Sequence, residues 1–472
     1  MNRPSTVREL RESGYRSRSV KQEMRENLIR LMREKGPLFP GIVGYDDTVL
    51  PQVANAVLSR HDLLFLGLRG QAKTRMIRAL PSLLDDFMPT VAGAELPDDP
   101  LAPQFASTKL ILARHGDDTE LHWVHRDERY HEKLATPDVT IADLIGEIDL
   151  VKHAEGRYLS DESVIHYGLI PRTNRGIFAI NELPDLAPRI QVGLFNVLEE
   201  RDVQIRGFPV RLPLDVCLVF TANPEDYTNR GRIVTPLKDR LGSVIRTHYP
   251  TTTDIGLQIT RENAWIERGE AGLEVAVPAF MLEIVEEIAR LARKSPHINQ
   301  QSGVSVRLSI ANTENLVSNA ERRAILCGER RVVPRISDLG NLTASCRGKI
   351  ELMLAEDEAA EDKLIASITG EAVKNVFANY GEVADLEPLV EQFAGSKLSL
   401  EVGDDVPAAD LLATLDKAKG FRKAATKVCT AANLNPDDPA SLASAAEFVL
   451  EALYVNNRLS KYGYRGKTFY KR

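Results

Sequence analysis

The stretch from Gly67 to Thr74 combines a glycine-containing loop with an adjacent lysine and threonine. It reads Gly67-Leu68-Arg69-Gly70-Gln71-Ala72-Lys73-Thr74, and it lies between an apolar run and a run with helical spacing. In a phosphate-binding loop, backbone N–H groups face the phosphates, the lysine reaches the β- and γ-phosphates, and the threonine hydroxyl binds Mg²⁺. The stretch therefore predicts a nucleotide phosphate site. An ordinary strand-to-helix turn is the alternative.

One position of this loop departs from the strict pattern, which has glycine where Ala72 stands. Alanine adds a methyl group and disfavours a positive φ. We therefore predict that the loop approaches its phosphates without needing positive φ or extra space at this position.

Two apolar runs further along the chain end in polar side chains. Residues 176–180 are followed by Asn181 and Glu182, and residues 216–222 are followed by Asn223. The Glu182 carboxylate is suited to orienting or deprotonating an attacking water. The Asn181 amide oxygen can accept a hydrogen bond from a metal-bound water, but it lacks the charge that favours divalent ions. Asn223 can hold the water or contact the γ-phosphate. The alternative for all three is a polar turn, and Asn-Pro commonly starts one.

Two arginines are candidates for contacts with the terminal phosphate. Arg240 is placed at the end of a predicted helix, and Arg307 at the start of another. An arginine that reaches a neighbouring subunit's γ-phosphate neutralises charge in the transition state. A capping or salt-bridging role is the alternative for Arg240, and a solvated helix charge is the alternative for Arg307.

The elements that would position these residues alternate between short apolar runs and helical patterns, which is typical of a parallel-sheet α/β domain. The candidate strands are Asp62–Leu66, Thr108–Ala113, Gly176–Ile180, Val216–Ala222 and Ser243–Thr247. The long interval 116–175 predicts inserted helices or a hairpin. A hairpin turning near Gly207 is predicted over Val203–Leu212, after a helix over Pro188–Arg201.

Beyond Pro250 the pattern becomes helical. Four helices are predicted over Thr253–Arg268, Pro278–Arg293, Val304–Leu326 and Ile336–Leu354, and another over Ser441–Lys461. We therefore expect a charged helical lead-in (1–40), an α/β nucleotide-binding domain (41–250), a helical lid (251–354) and a C-terminal helical region (355–472).

Composition narrows the class of protein. The chain has 472 residues, and its hydrophobic fraction of 43% is that of an ordinary globular protein. Its formal net charge of −7 argues against broad nucleic-acid binding. No apolar run approaches the length of a membrane span. The four cysteines form no C-x-x-C pair. The charged opening predicts a cytoplasmic protein, with residues 8–35 forming a solvated helix face.

Taken in order, these stretches resemble the AAA+ ATPases, in particular the magnesium-chelatase ATPase subunit and its MoxR-type relatives. The resemblance extends from Pro40 to Lys349, and it implies ATP and Mg²⁺ as cofactors. By motif position, Val43 and Gly44 would touch adenine, Asn223 would be sensor 1, Arg240 the arginine finger and Arg307 sensor 2. A helix-2 insertion is implied within Ile141–Tyr167, and a hairpin before the sensor-1 strand.

The function expected from this resemblance is an ATP-driven remodelling motor that assembles into a hexameric ring, because Arg240 can act only across an interface. A partner with a von Willebrand factor A domain is implied, with metal insertion or protein maturation as the output. Ala72 and Asn181 depart from the family pattern, but hydrolysis is expected to be retained.

Three alternatives stay open. The first is a true magnesium-chelatase subunit, against which the two departures and the extra C-terminal length count. The second is a sigma-54-type transcriptional activator, although the GAFTGA string of that class does not occur. The third is a scaffold that binds ATP without turnover, which the amide of Asn181 favours.

Overall fold

The computed structural model describes residues 3–149, 164–205, 211–224, 232–269, 272–353, 358–395, 399–464 and 467–472. The chain forms two compact units that meet in sequence between His248 and Tyr249. The division at residues 40, 250 and 354 stays a prediction. No helix among the described residues is long and apolar enough to cross a bilayer.

The first unit contains ten α-helices and eleven strands within its described residues. The helices are α1 (Val7–Glu12), α2 (Val20–Arg33), α3 (Val49–Leu58), α4 (Lys73–Ala79), α5 (Ala106–His115), α6 (Ile141–Leu144), α7 (Leu169–Arg172), α8 (Pro188–Gly193), α9 (Phe195–Glu199) and α10 (Thr235–Arg240). The strands are β1 (Leu63–Leu66), β2 (Phe87–Val91), β3 (Leu121–His125), β4 (Tyr130–Leu134), β5 (Gly146–Ile148), β6 (Ile165–Tyr167), β7 (Gly176–Asn181), β8 (Asp202–Gln204), β9 (Arg211–Pro213), β10 (Val216–Ala222) and β11 (Ser243–Arg246).

Five of these strands form a parallel sheet in the order β11-β1-β10-β7-β4. Its inner strands are buried on both faces, which explains their nearly continuous apolar sequences. Leu63, Phe65 and Val219 pack into a core with α2, α3 and α4 on one face. Phe178 and Phe220 pack into a second core on the other face. The predicted parallel α/β sheet is therefore confirmed.

The second predicted strand, Thr108–Ala113, is wrong. These residues lie in helix α5, in which Thr108 is buried and Leu110 is 58% exposed. The strand that occupies the remaining place in the sheet is β4, whose sequence is Tyr130-His131-Glu132-Lys133-Leu134. Because β4 pairs with β7 on one side and forms the end of the sheet, it is only partly buried and needs no apolar run.

The two inserted features lie partly within the described residues. The predicted helix-2 insertion begins with α6 and is flanked by β5 and β6, which pair antiparallel, while residues 150–163 lie outside the described residues. Strands β8 and β9 pair antiparallel and confirm the predicted hairpin, with Val203 opposite Leu212. The predicted turn at Gly207 lies outside the described residues.

The lead-in is part of the first unit's core, so the prediction of a solvated helix face is wrong. Helix α2 buries Lys21 and Glu23, and each has an ion-pair partner in the α/β domain. Lys21 Nζ lies 2.6 Å from Asp62 Oδ1, and Glu23 receives two hydrogen bonds from the Arg129 guanidinium at 2.8 and 2.6 Å. These charges are buried because they are paired, which a sequence pattern does not reveal.

The second unit contains nine α-helices within its described residues. They are α11 (Thr253–Asn263), α12 (Ala279–Ala292), α13 (Arg307–Cys327), α14 (Thr343–Cys346), α15 (Glu358–Phe377), α16 (Glu387–Gly395), α17 (Ala408–Leu415), α18 (Phe421–Ala431) and α19 (Pro439–Val455). It also contains the strand pair β12 (Glu274–Val275) and β13 (Arg331–Val332). A three-stranded antiparallel sheet is formed by β14 (Leu400–Val402), β15 (Ser460–Tyr464) and β16 (Lys467–Lys471).

Three of the four predicted lid helices are confirmed as α11, α12 and α13, with shifted ends. The fourth, Ile336–Leu354, is wrong as a single helix. It is a 3₁₀ helix over Ile336–Leu342 followed by the short α14, and the positive φ of Gly348 (71°) is incompatible with continuation. The predicted terminal helix is shorter than expected and ends at Val455, because the chain then enters β15.

We expect the buried pair between Glu23 and Arg129 to dominate the anchoring of the lead-in. Glu23→Gln leaves the Arg129 guanidinium buried without its counter-charge, and it should lower the free energy of unfolding of the first unit by about 3 kcal/mol. The protein has two tryptophans, Trp123 in the first unit and Trp265 in the second. Urea unfolding followed by Trp123 fluorescence in a Trp265→Phe background reports on the first unit.

The matched control is Asp118→Asn. Asp118 pairs with Arg8 at 2.9 Å, but both side chains are more than half exposed (77% and 59%). Such a pair contributes roughly 0–1 kcal/mol, so its loss should hardly shift the urea midpoint. Equal midpoints for the two variants would contradict the anchoring role of Glu23.

Candidate nucleotide-binding site

The register of the parallel sheet brings the predicted site residues to one edge. Leu66 at the end of β1 lies opposite Ala222 at the end of β10, and Phe220 lies opposite Ile180 of β7. Gly67 follows β1, Asn223 follows β10 and Glu182 follows β7, of which Asn181 is the last residue. Because all three strands run in the same direction, the phosphate loop and both polar strand ends meet at the carboxyl edge of the sheet.

The loop packs closely against the end of β11. A Cβ atom on Gly67 would lie 1.8 Å from Thr247 Oγ1, so this position excludes any side chain. Gly70 has a φ of 73°, in the left-handed region that glycine adopts at low cost. Both glycines of the loop are therefore required by its backbone path.

The prediction for Ala72 is wrong. Ala72 has φ 55° and ψ 15°, so this position does require the left-handed conformation. Its carbonyl accepts the first hydrogen bond of α4, from the Met76 N–H at 3.0 Å. The alanine is held in a conformation that costs an L-residue about 1 kcal/mol or more because the surrounding loop fixes it.

Lys73 begins α4, and its side chain is directed back to the loop. The Lys73 ammonium donates hydrogen bonds to the carbonyl oxygens of Gly67 and Leu68 and, at 2.6 Å, to Asn223 Oδ1. The residue is 7% exposed. Its charge is thus placed between the loop backbone and the end of β10, where a phosphate group would be bound.

Asn223 connects the lysine to the glutamate. Its amide oxygen accepts from Lys73, and its amide nitrogen donates to Glu182 Oε2 at 2.8 Å. Glu182 has a φ of 55°, and its N–H donates to Thr221 Oγ1 at 2.9 Å. A cation from the start of α4, an amide from the residue after β10 and a carboxylate from the residue after β7 therefore form one continuous hydrogen-bonded chain.

The candidate magnesium donors are the Thr74 hydroxyl and the Asn181 amide oxygen. Thr74 is exposed in the first turn of α4, and Asn181 Oδ1 accepts from the Thr221 hydroxyl at 3.3 Å, which leaves the oxygen a second lone pair. Among the described residues, no three His, Cys, Asp or Glu side chains are grouped to hold a metal. This donor set fits a Mg²⁺ ion that is bound together with phosphate oxygens rather than by the protein alone.

Val43 and Gly44 are followed by Tyr45, and the side chain of Tyr45 contacts the phosphate loop. The Tyr45 hydroxyl lies 3.0 Å from the carbonyl oxygen of Gln71 and 2.8 Å from that of His248. Gly44 has a φ of 82°, which allows the turn that precedes Tyr45. The predicted adenine-contacting residues are therefore sequence neighbours of a side chain that contacts the phosphate loop.

The two candidate arginines are not part of the Lys73–Asn223–Glu182 chain. At the end of α10, Arg240 Nε donates to Glu199 Oε2 at 2.6 Å, and its guanidinium lies 4.9 Å from the centre of the Phe195 ring. Arg307 is an exposed residue at the start of α13 in the second unit. Their predicted roles stay predictions.

Helix α4 is fixed to the edge strand by an ion pair. The Arg78 guanidinium forms hydrogen bonds with the carboxylate of Glu132 in β4, and the Tyr130 hydroxyl donates to Glu132 Oε2 at 2.7 Å. These interactions, chiefly the one with Arg78, lower the pKa of Glu132. The helix that carries Lys73 and Thr74 thus has a side-chain anchor at its far end.

Three contacts around the site were not predicted from the sequence: those of Thr221 with the end of β7, and those of Tyr45 and Thr247, which lie outside the reacting groups, with Gln71. Thr221 gave a signal, because it is a polar residue inside an otherwise apolar strand, and its hydroxyl contacts both Asn181 and the Glu182 N–H. Tyr45 and Thr247 gave none, because their partners in the loop are distant in sequence.

Parts of the chain are similar in sequence to a known domain family and to two known proteins. The family model described as the Sigma-54 interaction domain matches residues 124–245, a span that includes Glu182, Asn223 and Arg240 but begins after the phosphate loop. The hydrogenase transcriptional regulatory protein HoxA of Cupriavidus necator is 31% identical over 106 residues, which is 22% of this chain and 22% of that protein. The magnesium-chelatase subunit ChlI of Cyanidium caldarium is 21% identical over 363 residues, which is 72% of this chain and 94% of that protein.

Among solved structures, the magnesium-chelatase BchI–BchD complex gives a TM-score of 0.37 at 21% identity, covering 70% of this chain and 99% of the matched chain. NtrX from Brucella abortus in complex with ADP gives 0.36 at 14% identity, covering 78% of this chain and 65% of NtrX. The matches to HoxA and NtrX thus each span less than two thirds of that protein's length.

The parallel sheet and the phosphate loop that follows β1 are features of a P-loop α/β fold, and the chain is similar over residues 124–245 to Sigma-54 interaction domains and over 72% of its length to a magnesium-chelatase subunit.

Proposed function

We propose that the protein binds and hydrolyses ATP and uses the energy to remodel a partner. The observation that carries this proposal is the hydrogen-bonded chain from Lys73 through Asn223 to Glu182 at the edge where the phosphate loop lies. It joins a group that can bind the terminal phosphate to a group that can activate water. A loop with a purely structural role would not need this pairing.

Each residue of the chain has a separate part in the proposed reaction. Lys73 neutralises the β- and γ-phosphates, and Glu182 orients and deprotonates the attacking water. Asn223 contacts both, so a phosphate that draws the Lys73 ammonium away from Asn223 Oδ1 also changes the hydrogen bonding of Glu182. A phosphate bound in the loop would therefore change the hydrogen bonding of the proposed base, Glu182.

Mg²⁺ bound with the nucleotide would neutralise charge on the β- and γ-phosphates. Thr74 and Asn181 are the side chains that would hold it. Because the second member of this pair is neutral, we expect affinity for Mg²⁺ to depend largely on the phosphates themselves.

The motor would work as a homo-oligomeric ring, hexameric by analogy with the family. Arg240 would be the residue supplied to a neighbour's γ-phosphate. It is free to change partner at low cost, because its ion pair with Glu199 is partly solvated, with side-chain exposures of 29% and 54%. Exposed pairs contribute roughly 0–1 kcal/mol. Arg307 would report the nucleotide to the second unit.

The partner and output rest on similarity to chelatase. ChlI aligns over most of its own length, and the BchI–BchD complex joins two chelatase subunits. We propose a partner with a von Willebrand factor A domain, and metal insertion or protein maturation as the result. A true magnesium-chelatase subunit is the narrower version of this proposal.

A sigma-54-dependent activator is the second candidate, and the matches to the Sigma-54 interaction domain and to HoxA favour it. The missing GAFTGA string counts against it. The third candidate, a scaffold that binds ATP without turnover, is favoured by Asn181. Steady-state phosphate release with and without Mg²⁺ separates this scaffold from a motor.

Replacing Ala72 by glycine should stabilise the first unit by about 1 kcal/mol, because glycine adopts positive φ without strain. Ala54→Gly, in the interior of α3 where φ suits alanine, should instead destabilise it by about 1 kcal/mol. Urea unfolding of the Trp265→Phe protein measures both. If both substitutions destabilise equally, then Ala72 is not strained.

Glu182→Gln should bind ATP with nearly unchanged affinity but hydrolyse it about 10²–10⁴ times more slowly, because the carboxylate is lost while Lys73 and the loop remain. A fluorescent ATP analogue measures binding, and steady-state phosphate release measures turnover. The control is Lys73→Ala, which should lose binding itself. A Glu182→Gln protein that hydrolyses ATP at the parent rate would show that Glu182 is not the base.

A mixing experiment tests whether Arg240 acts on a neighbour. Arg240→Ala and Glu182→Gln should each be nearly inactive. A one-to-one mixture should regain roughly a quarter of the parent rate, because about one random interface in four joins an intact glutamate to an intact arginine. Gel filtration with ATP checks that rings form. Additive, near-zero activity in mixed rings would rule out action in trans.

A further inference from the structure

A hydrogen bond joins the phosphate loop to the last residues of the first unit. The Thr247 hydroxyl donates to Gln71 Oε1 at 2.7 Å, and the Thr247 N–H donates to the carbonyl oxygen of Leu66 at 2.9 Å. Gln71 is 6% exposed, so its side-chain oxygen has little access to water. The lack of a side chain at Gly67 leaves the space that the Thr247 hydroxyl occupies.

Tyr45 makes a second connection between the same two segments. Its hydroxyl lies within hydrogen-bond distance of the Gln71 and His248 carbonyl oxygens, and it is 5% exposed. The edge of one ring faces the other in the Tyr45–His248 pair, with centres 5.0 Å apart. The His248 ring has a further contact, since its Nε2 lies 2.7 Å from Thr48 Oγ1.

We propose that Thr247 and Tyr45 are positioning residues that couple the nucleotide at the phosphate loop to the segment leading into the second unit. This inference rests on the proposed function, because it assumes that nucleotide binds at residues 67–74. Gln71 is the junction: its side chain is bonded to Thr247, and its carbonyl to Tyr45. A loop that is ordered by a bound phosphate therefore also orders residues 247 and 248, and the chain passes directly from His248 into the second unit.

The coupling must act in both directions. If an ordered junction increases the affinity for nucleotide, then bound nucleotide increases the equilibrium constant for ordering the junction by the same factor. A variant that breaks the junction should thus bind nucleotide more weakly although it leaves Lys73, Thr74 and Glu182 untouched. A residue that merely stabilises the fold would change unfolding without changing the response of residues 246–252 to nucleotide.

Thr247→Val tests this coupling, because valine keeps the shape of threonine and removes the hydroxyl. We expect ADP to bind about 3–10 times more weakly, as the loss of one hydrogen bond implies. The rate at saturating ATP should stay within about twofold, because the groups of the reaction are intact. Thr247→Ser keeps the hydroxyl and should restore the affinity to within about twofold.

Hydrogen exchange of the full-length protein gives the direct readout. In the parent, ADP should slow amide exchange over residues 246–252, and Thr247→Val should lose most of this protection. The matched control is Thr90→Val, which removes a buried hydroxyl bonded to the His122 carbonyl oxygen elsewhere in the first unit. It should keep both the affinity and the protection. Tyr45→Phe removes the hydroxyl that contacts the Gln71 and His248 carbonyl oxygens, and it should give the same result as Thr247→Val.

Two outcomes would overturn the coupling while leaving ATP binding intact. One is a parent protein that binds ADP with no added protection at residues 246–252. The other is Thr247→Val and Tyr45→Phe proteins that bind ADP as tightly as the parent. A parent that binds no adenine nucleotide would instead remove the proposed function, and the coupling with it.

Discussion

The rest of the site depends on the parallel register of β1, β10 and β7. A shift of one residue in either pairing would exchange the faces of a strand and move Asn223 or Glu182 out of reach of Lys73. The register is fixed by apolar side chains that alternate between two cores, with Phe65 and Val219 on one face and Phe178 and Phe220 on the other. Packing far from the phosphate loop therefore determines whether the hydrogen-bonded chain can form.

At the amino-terminal ends of β1 and β10, buried polar groups fix the position of the strands. Asp62, just before β1, is 3% exposed and pairs with Lys21 and Arg201, while it also accepts from the Leu218 N–H at 2.8 Å. Burial raises the pKa of Asp215, just before β10, and its carboxylate accepts from the Val20 N–H at 2.8 Å. Helix α2 thus contacts the residues that precede both β1 and β10. The lead-in belongs to the scaffold because it satisfies charges that the sheet alone would leave unpaired.

A local sequence pattern predicts an element correctly where that pattern reflects the element's environment in the fold. Strands β1, β7 and β10 and the loop before α4 were predicted correctly because inner strands are buried on both faces and the loop's glycines meet backbone requirements. The local pattern failed for β4, where an edge position removes the need for apolar residues, and for α5, whose apolar residues are largely exposed. The φ of Ala72, the partners of Glu23 and the contacts of Tyr45 depend on residues distant in sequence, so no local pattern carries them.

The second unit shows that buried charge can decide which segments fold together. The side chains of Arg335 and Glu447 are fully or almost fully buried, and Arg335 Nη1 lies 4.0 Å from Glu447 Oε1. Burial lowers the pKa of Arg335 and raises the pKa of Glu447. Arg335 Nη1 also donates to the Val406 carbonyl oxygen at 2.8 Å, and the Ser337 N–H donates to Glu447 at 2.9 Å. Desolvation offsets most of what such pairs contribute to stability, but a misplaced C-terminal segment would leave a buried charge uncompensated. Residues on both sides of position 354 consequently share one core, from Phe280 to Tyr470.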